Sequence, residues 1–316
     1  MSHVVVTGAG GFIGAALVNR LLGDGVAGTP VKTLVAVDLQ LDALPADPRI
    51  VRVPGSIADP ALLQRLGEQP LDVVFHLASV PGGAAERNPT LGRSVNLDAT
   101  ANWLQWLGSH AQCPRFVYAS SIAVYGESLG AVVDDDTPPA PSLSYGAHKW
   151  IGEILVADAT RRGWVHGCSL RLPGIVARPG PSQGLISSFM SEVFWALAEG
   201  RSVTLPVRPE GTAWWLSARA CVDNLLRAAA FDAVRLGPGR SCLMPAQWLS
   251  IQSVVDALAQ RFGESRRTLV TYAPDEQVQR LFASFPPLHT PKANALGLRH
   301  DGSAAGLVSA ALGAIQ

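Results

Sequence analysis

The sequence of 316 residues predicts a doubly wound α/β fold, in which helices cover both faces of a parallel sheet. Three observations support this fold class. Short, continuous apolar runs alternate with longer segments of helical periodicity through the first half of the chain. A glycine-rich turn joins the first run to the first helical segment. Hydrophobic residues make up 48% of the chain and charged residues only 16%, a composition typical of a compact globular protein.

The predicted strands of the first half are continuous apolar runs, as expected for strands that are buried on both faces. They are residues 3–8, 31–38, 71–79, 115–121 and 166–174. The segments between them carry apolar residues three and four positions apart, the spacing of a helix that packs along one face. These helices are residues 12–25, 59–69, 91–111 and 145–163, the second opening on Asp-Pro and the fourth closed by Gly163.

The alternation breaks after Pro173, and the rest of the chain predicts a smaller unit. Its elements are a loop (176–184), a helix (185–200), a strand (202–207), a sheet-covering helix (217–233), a helix capped by Ser250 (249–263) and a strand (267–274). We therefore predict a larger domain over 1–174, to which 216–238 return. A smaller substrate-binding domain is predicted over 175–215 and 239–316.

Charge and composition exclude several classes of protein. The formal net charge is zero and no block of like charge occurs, so the basic surface of a nucleic-acid-binding protein is missing. No apolar run reaches the roughly 18 residues of a membrane span, and the first residues show a strand pattern, so we expect no signal peptide. The four cysteines are far apart and predict free thiols in a reducing compartment. We expect a soluble cytoplasmic protein without a metal site.

The glycine-rich turn is the first candidate binding site. Gly8, Gly11 and Gly14 lie at three-residue spacing between the first strand and the first helix, with Phe12 and Ile13 opening that helix. Glycine allows the tight turn and lets a phosphate approach the backbone, and the helix start offers free N–H groups. This position predicts a dinucleotide-binding (Rossmann) site, with a glycine-rich turn that binds no ligand as the alternative.

Asp38 ends the second predicted strand, 24 residues after Gly14. A carboxylate at this position accepts hydrogen bonds from the ribose hydroxyls of an adenosine and repels a 2′-phosphate. No arginine follows it to bind such a phosphate. The sequence therefore favours NAD over NADP, with a solvated aspartate at the end of a strand as the alternative.

The segment SYGAHKW places Tyr145 and Lys149 four positions apart, on one face of a helix. A tyrosine has an ordinary pKa near 10, and a neighbouring ammonium favours its phenolate form. Tyr145 is therefore a candidate base that removes the proton of a substrate alcohol while hydride leaves the same carbon. Ser121, at the end of the fourth predicted strand, is a candidate to hold the alcohol oxygen. The alternative for a Tyr–Lys pair considered alone is a surface pair.

Several segments together resemble the extended short-chain dehydrogenase/reductase superfamily of the sugar epimerase/dehydratase type. They are TGAGGFIG, HLAS, VNLDAT, SSIAVYG, YGAHK and RLPGIVARPG, and they cover nearly the whole chain. The resemblance implies that Ser121, Tyr145 and Lys149 are catalytic and that Asn96 lies near the active site. It implies an NAD site with further contacts from Ser56, Ile57, Leu77, Ala78, Ser120, Tyr145, Lys149, Pro173 and Ile175, among which Lys149 would bind a ribose of the cofactor. It also implies a homodimer formed through the helices that carry Asn96 and Tyr145.

A narrower resemblance is to the D-erythronate dehydrogenases, carried by VVDDDTPPAPSLSYGAHKWIGEILVADATRRG, SSFMSEV, WWLSARACVDNLLRAA and FPPLHTPKANALGL. It implies NAD-dependent oxidation of the C2 hydroxyl of a four-carbon sugar acid to the 2-oxo acid. Ser79, Ser187, Trp215 and Arg219 would then line the substrate pocket, with Arg219 binding the carboxylate bidentately. A surface arginine at a helix start is the alternative for Arg219.

The sequence departs from the family pattern at two informative positions. The family often has aspartate beside the adenine, where this chain has Ser56, so the adenine contact is either weaker or made by the backbone near Ile57. Ala99 stands where the family prefers glycine.

Three functional hypotheses follow. The first is an NAD-dependent dehydrogenase of a small sugar acid. The second is an NDP-sugar 4-epimerase that holds NAD tightly and forms no net NADH. The third is a catalytically idle NAD-sensing protein, against which the intact set of Ser121, Tyr145 and Lys149 argues.

Overall fold

A computed structural model describes residues 1–66, 70–109, 113–180 and 186–313 of the chain. The described strands are β1 (Ser2–Thr7), β2 (Val31–Asp38), β3 (Ile50–Pro54), β4 (Val73–His76), β5 (Arg115–Ser121), β6 (His166–Leu172), β7 (Gly174–Val176), β8 (Val203–Leu205), β9 (Thr212–Ser217), β10 (Ser241–Leu243), β11 (Gln247–Ser250) and β12 (Val270–Tyr272). The described helices are α1 (Phe12–Asp24), α2 (Pro60–Leu66), α3 (Gly82–Arg87), α4 (Pro89–Arg93), α5 (Ala99–Gly108), α6 (Ser144–Arg161), α7 (Phe189–Glu199), α8 (Ala218–Ala228), α9 (Ile251–Phe262), α10 (Glu276–Phe282), α11 (Pro291–Ala295) and α12 (Ala304–Leu312).

The chain divides into two compact units. The first comprises Met1–Val124, Pro141–Arg171 and Val222–Cys242, and the second comprises Tyr125–Ala140, Leu172–Cys221 and Leu243–Gln316. This division differs from the predicted domains chiefly in residues 125–140, which belong to the second unit. Val133 explains the difference, because its N–H donates to the carbonyl of Pro287 and its own carbonyl accepts from the N–H of His289, at 3.0 and 2.9 Å.

The first unit is built on a seven-stranded sheet in the order β10-β6-β5-β4-β1-β2-β3. The pairs β1–β2, β2–β3, β1–β4 and β4–β5 are parallel. From β1 the chain winds outward to β2 and β3, and from β4 it winds the other way to β5 and β6. The predicted doubly wound parallel sheet is therefore confirmed. Its direction of winding reverses between β1 and β4, the position at which such sheets bind ligands outside the carboxyl ends of their strands.

Apolar burial explains why these strands form the centre of the first unit. Val4, Val5 and Val6 of β1 have no exposed surface, so β1 is buried on both faces, as its continuous apolar run predicts. Helix α1 buries Leu17 and Leu21, which lie four positions apart on one face.

The second unit contains two smaller sheets. One has the order β11-β9-β7, with β9 antiparallel to β11 and parallel to β7, and the other pairs β12 with β8 in parallel. Its core collects aromatic and aliphatic side chains of α7, β9 and α9, among them Phe194, Trp215 and Leu258, none of which has exposed surface.

Several predicted elements differ from the observed ones. The predicted helix 91–111 is divided into α4, a π-helix over Ser94–Asp98, and α5. Strand β4 is shorter than the predicted strand 71–79, because the chain leaves the sheet after His76. Strands β3, β7, β9, β10 and β11 and helices α3, α10, α11 and α12 were not predicted. Parts of four predicted elements lie outside the described residues, namely 67–69 of the second helix, 110–111 of the third, 181–184 of the loop and 185 of the following helix.

In the described ranges no helix combines the length and apolar character needed to cross a membrane. No disulfide joins the four cysteines, all of which lie in the described ranges; Cys168, Cys221 and Cys242 are buried, and Cys113 is partly exposed.

Candidate active site

The glycine-rich turn lies at the carboxyl end of β1 and begins with Gly8. This residue has a φ of +73°, and a Cβ on it would come within 2.8 Å of the backbone nitrogen of Ala78, which follows β4. Its N–H donates to the carbonyl of Val37 in β2 at 2.8 Å. The turn is therefore packed between the ends of β2 and β4, and only glycine fits at Gly8.

Helix α1 opens directly from this turn. Its N-cap is Gly11, in an extended conformation, and no side chain caps the helix or places a negative charge in its first turn. Gly14 is buried, and a Cβ there would collide with the carbonyl of Gly8. A helix start with this exposed backbone and positive dipole end fits a bound pyrophosphate.

Asp38, the last residue of β2, is held beside the glycine-rich turn by two backbone donors. Its Oδ2 accepts from the N–H of Gly10 at 2.9 Å, and its Oδ1 accepts from the N–H of Leu39 at 2.6 Å. The half-buried carboxylate therefore has a fixed position at the strand end. A carboxylate fixed there fits the ribose of NAD and disfavours a 2′-phosphate.

The segment after β4 is fixed by Thr7 and His76. The hydroxyl of Thr7 accepts from the N–H groups of Leu77 and Ala78 at 3.2 and 3.3 Å, and it contacts Nδ1 of His76 at 3.1 Å. Burial lowers the pKa of His76 to about 3, so its ring is neutral. We assign Nδ1 as the acceptor, which leaves Nε2–H to donate to Thr100 at 3.2 Å.

Lys149 of α6 is buried, with 2% of its surface exposed. Its Nζ donates to the carbonyl of Ala119 in β5 at 2.7 Å and lies 4.8 Å from the ring centroid of Tyr118. The same Nζ lies 5.7 Å from the ring centroid of Tyr145. Burial lowers the pKa of Lys149 to about 7, and the Glu153 carboxylate opposes that effect.

The first turn of α6 carries Tyr145 and packs against the segment that follows β5, where Ser121 lies. Tyr145 is half-buried, and Ser121 is the last residue of β5. The Ser121 hydroxyl accepts from the N–H of Ala123 at 3.2 Å. Gly146, next to Tyr145, packs so closely on Ala123 that a Cβ on it would collide with the Ala123 carbonyl. The structure thus brings the predicted hydroxyl, phenol and ammonium to the same end of β5.

Asn96 has a different geometry from the other predicted catalytic residues. It is 1% exposed and lies in the π-helix between α4 and α5, the kind of helix distortion often found at functional sites. Its Oδ1 accepts from the N–H of Val80 at 2.7 Å, and its Nδ2 donates to the Val80 carbonyl at 2.9 Å. Both polar atoms of the side chain therefore hold the segment after β4, which includes Ser79.

The other predicted cofactor contacts of the first unit have mixed surroundings. Ser120 is buried and its hydroxyl donates to Glu153 at 2.5 Å. Ser56 accepts from the N–H of Ala58 at 3.2 Å, and Ile57 is 5% exposed in the core. Leu77 is half-buried after β4. These positions remain predictions as cofactor contacts.

The remaining predicted site residues belong to the second unit. Ile175 is half-buried in β7, Ser187 is half-buried in the 3-10 turn before α7, and Arg219 is exposed at the start of α8. Pro173 is buried. Trp215 has no exposed surface and its Nε1–H donates to the carbonyl of Leu249 at 3.0 Å, which gives it a structural role that the sequence did not predict.

The sequence did not reveal a buried ion pair close to Lys149. Glu153 of α6 and Arg171 of β6 form an ion pair at 2.8 Å, with 4% and 10% of their side chains exposed. The spacing of Tyr145, Lys149 and Glu153 at four-residue intervals was the available signal, because it places all three on one helix face. In the described ranges, no group of three or more His, Cys, Asp or Glu residues is arranged to hold a metal ion.

The sheet is doubly wound, the glycine-rich turn lies where its winding reverses, and the pair of Tyr145 and Lys149 lies in the same unit. These features together define the class of nucleotide-dependent oxidoreductases. A model of the NAD dependent epimerase/dehydratase family matches residues 4–235, and the chain belongs to that family. It is an NAD-dependent dehydrogenase of the extended short-chain dehydrogenase/reductase type, and its cofactor is NAD.

Two relatives and one solved structure match nearly the full chain. It is 36% identical to the D-erythronate dehydrogenase of Cupriavidus necator over 307 residues, with 95% of each chain covered. It is 30% identical to the D-erythronate dehydrogenase of Haemophilus influenzae, with 94% of this chain and 95% of that one covered. Its structure resembles that of a nucleoside-diphosphate-sugar epimerase from Agrobacterium tumefaciens with a TM-score of 0.92, at 30% identity, over 99% of this chain and 94% of the other.

Proposed function

We propose that this protein oxidises the C2 hydroxyl of a small sugar acid such as D-erythronate to the 2-oxo acid, with Tyr145 as the base. The observation that carries the proposal is that Ser121, Tyr145 and Lys149 lie together at the carboxyl end of β5. The same unit contains the glycine-rich turn. The names of the two D-erythronate dehydrogenases at 36% and 30% identity supply the substrate class.

The roles of the side chains follow from their charges. When bound, NAD supplies the acceptor of the hydride that leaves C2. The phenolate of Tyr145 takes the hydroxyl proton and becomes the phenol. The ammonium of Lys149, whose Nζ lies 5.7 Å from the Tyr145 ring centroid, stabilises that phenolate. The Ser121 hydroxyl donates to the substrate oxygen and orients it. Low exposure of Lys149 strengthens these interactions because water screens them little.

Arg219 is proposed to bind the substrate carboxylate. It is exposed, and a guanidinium matches a carboxylate with two parallel hydrogen bonds. We expect R219M to raise KM for D-erythronate roughly tenfold or more, the effect of losing a charge-assisted hydrogen bond. Activity on the neutral polyol with the same carbon skeleton is the control, because it offers no carboxylate; an equal loss on both compounds would contradict this role.

Net NADH formation separates this function from its main alternative, an NDP-sugar 4-epimerase. The epimerase is favoured by the structural similarity to the Agrobacterium tumefaciens protein. The test is a screen of free tetronates and UDP-sugars with NAD, monitored for NADH and for sugar interconversion. NADH from D-erythronate supports the dehydrogenase, whereas UDP-sugar interconversion without net NADH supports the epimerase.

We also propose that the protein is a cytoplasmic homodimer. Trp150, Ile151 and Ile154 on α6 are 36%, 39% and 54% exposed, an apolar face of the kind that protein interfaces cover. Four cysteines that form no disulfide in the described part of the chain fit a reducing compartment. We expect I154E to give monomers in light scattering, while V234E, at another exposed apolar position, leaves the dimer intact. A wild-type monomer would contradict the homodimer.

A further inference from the structure

Next to Lys149 lies a buried ion pair that has no role in the proposed reaction. Arg171 donates from Nε and Nη2 to the two carboxylate oxygens of Glu153, at 2.9 and 2.8 Å. The hydroxyl of Ser120 donates to the same carboxylate at 2.5 Å. Burial of two charges costs desolvation that their attraction often fails to offset, so stability alone does not explain the pair.

The position of Glu153 relates the pair to the active site. Glu153 follows Lys149 by one helical turn, on the helix face that also carries Tyr145. Among the described residues Lys149 nevertheless makes no ion pair with Glu153, and its Nζ donates to the Ala119 carbonyl at 2.7 Å. The Glu153 oxygens are occupied by donors from β5 and β6 instead.

This arrangement leaves Lys149 with both its charge and its donors. An ammonium has three N–H donors, and the Ala119 carbonyl accepts one of them. A carboxylate bound directly to Lys149 would take another donor and neutralise the charge beside Tyr145. With no carboxylate nearby, burial would favour loss of the proton from Lys149.

We propose that Glu153 and Arg171 are positioning residues for Lys149: Arg171 holds the Glu153 carboxylate close enough to act as a countercharge and prevents it from binding the Lys149 ammonium. Ser120 assists by donating to the same carboxylate. The inference deepens the proposed function, since it rests on Lys149 acting beside Tyr145.

Within the ranges that the structure describes, three other titratable groups face Lys149, and two of them are neutral. Tyr118 faces it from β5, and burial raises the pKa of that phenol, so it stays neutral. His76 faces it from β4 and is neutral because burial, assisted by the charge of Lys149, lowers its pKa to about 3. The third group, Tyr145, lies on α6 itself, and its ring centroid is 5.7 Å from Nζ of Lys149. Glu153 is the group that opposes the effect of burial on the pKa of Lys149.

The chain makes a direct test practical because it has only three lysines, Lys32, Lys149 and Lys292. Lys32 and Lys292 are exposed, so Nζ-labelled lysine in the full-length protein gives one buried signal to follow by NMR, assigned with K149R. In R171M the released Glu153 carboxylate binds Lys149, and we expect the pKa of Lys149 to rise by about one unit or more. In E153Q the countercharge is lost, and we expect that pKa to fall by about one unit.

Three further variants control for folding and for non-specific effects. R171K keeps the cation and should restore a value close to the wild type. The double variant E153M/R171M leaves no unpaired buried charge, and it should fold and show the lowered pKa of E153Q. R201M breaks the exposed pair between Glu199 and Arg201 and should leave Lys149 unchanged.

Opposite shifts of the pKa of Lys149 in R171M and E153Q support the inference. A shift in the same direction in both variants, or an unchanged pKa of Lys149 in folded E153M/R171M, would overturn it. The titration needs no substrate, so failure to oxidise any sugar acid contradicts the proposed function separately.

Discussion

The side-chain amide of Asn96 forms a pair of hydrogen bonds with the peptide of Val80, at 2.7 and 2.9 Å. This contact ties the π-helix between α4 and α5 to the segment after β4. Two residues beyond Val80, Gly82 packs on the side chain of Tyr145, where a Cβ on Gly82 would lie 3.7 Å from the Tyr145 Cβ. The Asn96 side chain thus holds the segment that packs against Tyr145, the proposed base.

Removal of this support should lower activity while the fold is retained. We expect N96A to reduce kcat/KM roughly 10- to 100-fold, because the segment that packs on Tyr145 loses both anchoring hydrogen bonds and small displacements of reacting groups are costly. Steady-state kinetics with the sugar acid measures the effect. N102A, at an exposed position on α5, is the matched control and should retain wild-type kinetics. Wild-type turnover in folded N96A would contradict the positioning role.

The position of Asp38 predicts cofactor selectivity. Its carboxylate is held beside the glycine-rich turn by the N–H groups of Gly10 and Leu39. D38S removes the negative charge, so we expect KM for NAD to rise roughly tenfold or more and NADP to become a usable cofactor. The ratio of kcat/KM for the two cofactors measures this change. D42S, at a nearby exposed aspartate, should leave the ratio unaltered, and an unchanged preference in D38S would disprove the assignment.

The burial of Lys149 predicts how stability depends on pH. Its pKa is about 7 in the folded protein against an ordinary value of 10.5, so between these values the unfolded chain binds more protons than the folded one. Protonation of the buried Lys149 therefore lowers the stability of the fold. This loss is absent above the ordinary pKa, grows as the pH falls, and is complete below about 7. We expect the free energy of unfolding to rise with pH above 7 by roughly 1 kcal/mol per unit from this group.

The substitution K149M isolates that contribution. The variant should be more stable than the wild type at neutral pH, and the difference should narrow as the pH rises. Urea unfolding of both proteins at several values between about pH 7 and 8.5 measures this, because the thiols of the unfolded chain titrate equally in both and cancel in the difference. A difference in unfolding free energy that stays constant across this range would contradict the buried ammonium.

Much of the fold was predictable because its strongest signals are local. The apolar run of β1 and the glycine at position 8 specify a buried strand and a tight turn within a few residues. The pair Tyr145 and Lys149 is likewise set by the spacing of one helix, and its position at the end of β5 follows from the order of the elements in a doubly wound sheet.

The features that escaped prediction depend on contacts distant in sequence. Strand β3 exposes Val51 and has no continuous buried run, so it is recognisable only by its pairing with β2. The family resemblance implied that Trp215 lines the substrate pocket. In the structure it packs in the core of the second unit, and its indole N–H donates a hydrogen bond to the carbonyl of Leu249. Arg171 pairs with Glu153 across 18 positions, a contact that no periodicity indicates.

The origin of the transferred hydride tests the central claim most directly. D-erythronate deuterated at C2 should yield reduced nicotinamide that carries the deuterium, in equal amount to the 2-oxo acid, as mass spectrometry would show. Y145F should form this product roughly 10²- to 10⁴-fold more slowly and still bind NAD, whereas Y272F, at a tyrosine bonded to Gln252, should match the wild type. Reduced cofactor without deuterium, or undiminished turnover in Y145F, would contradict the account.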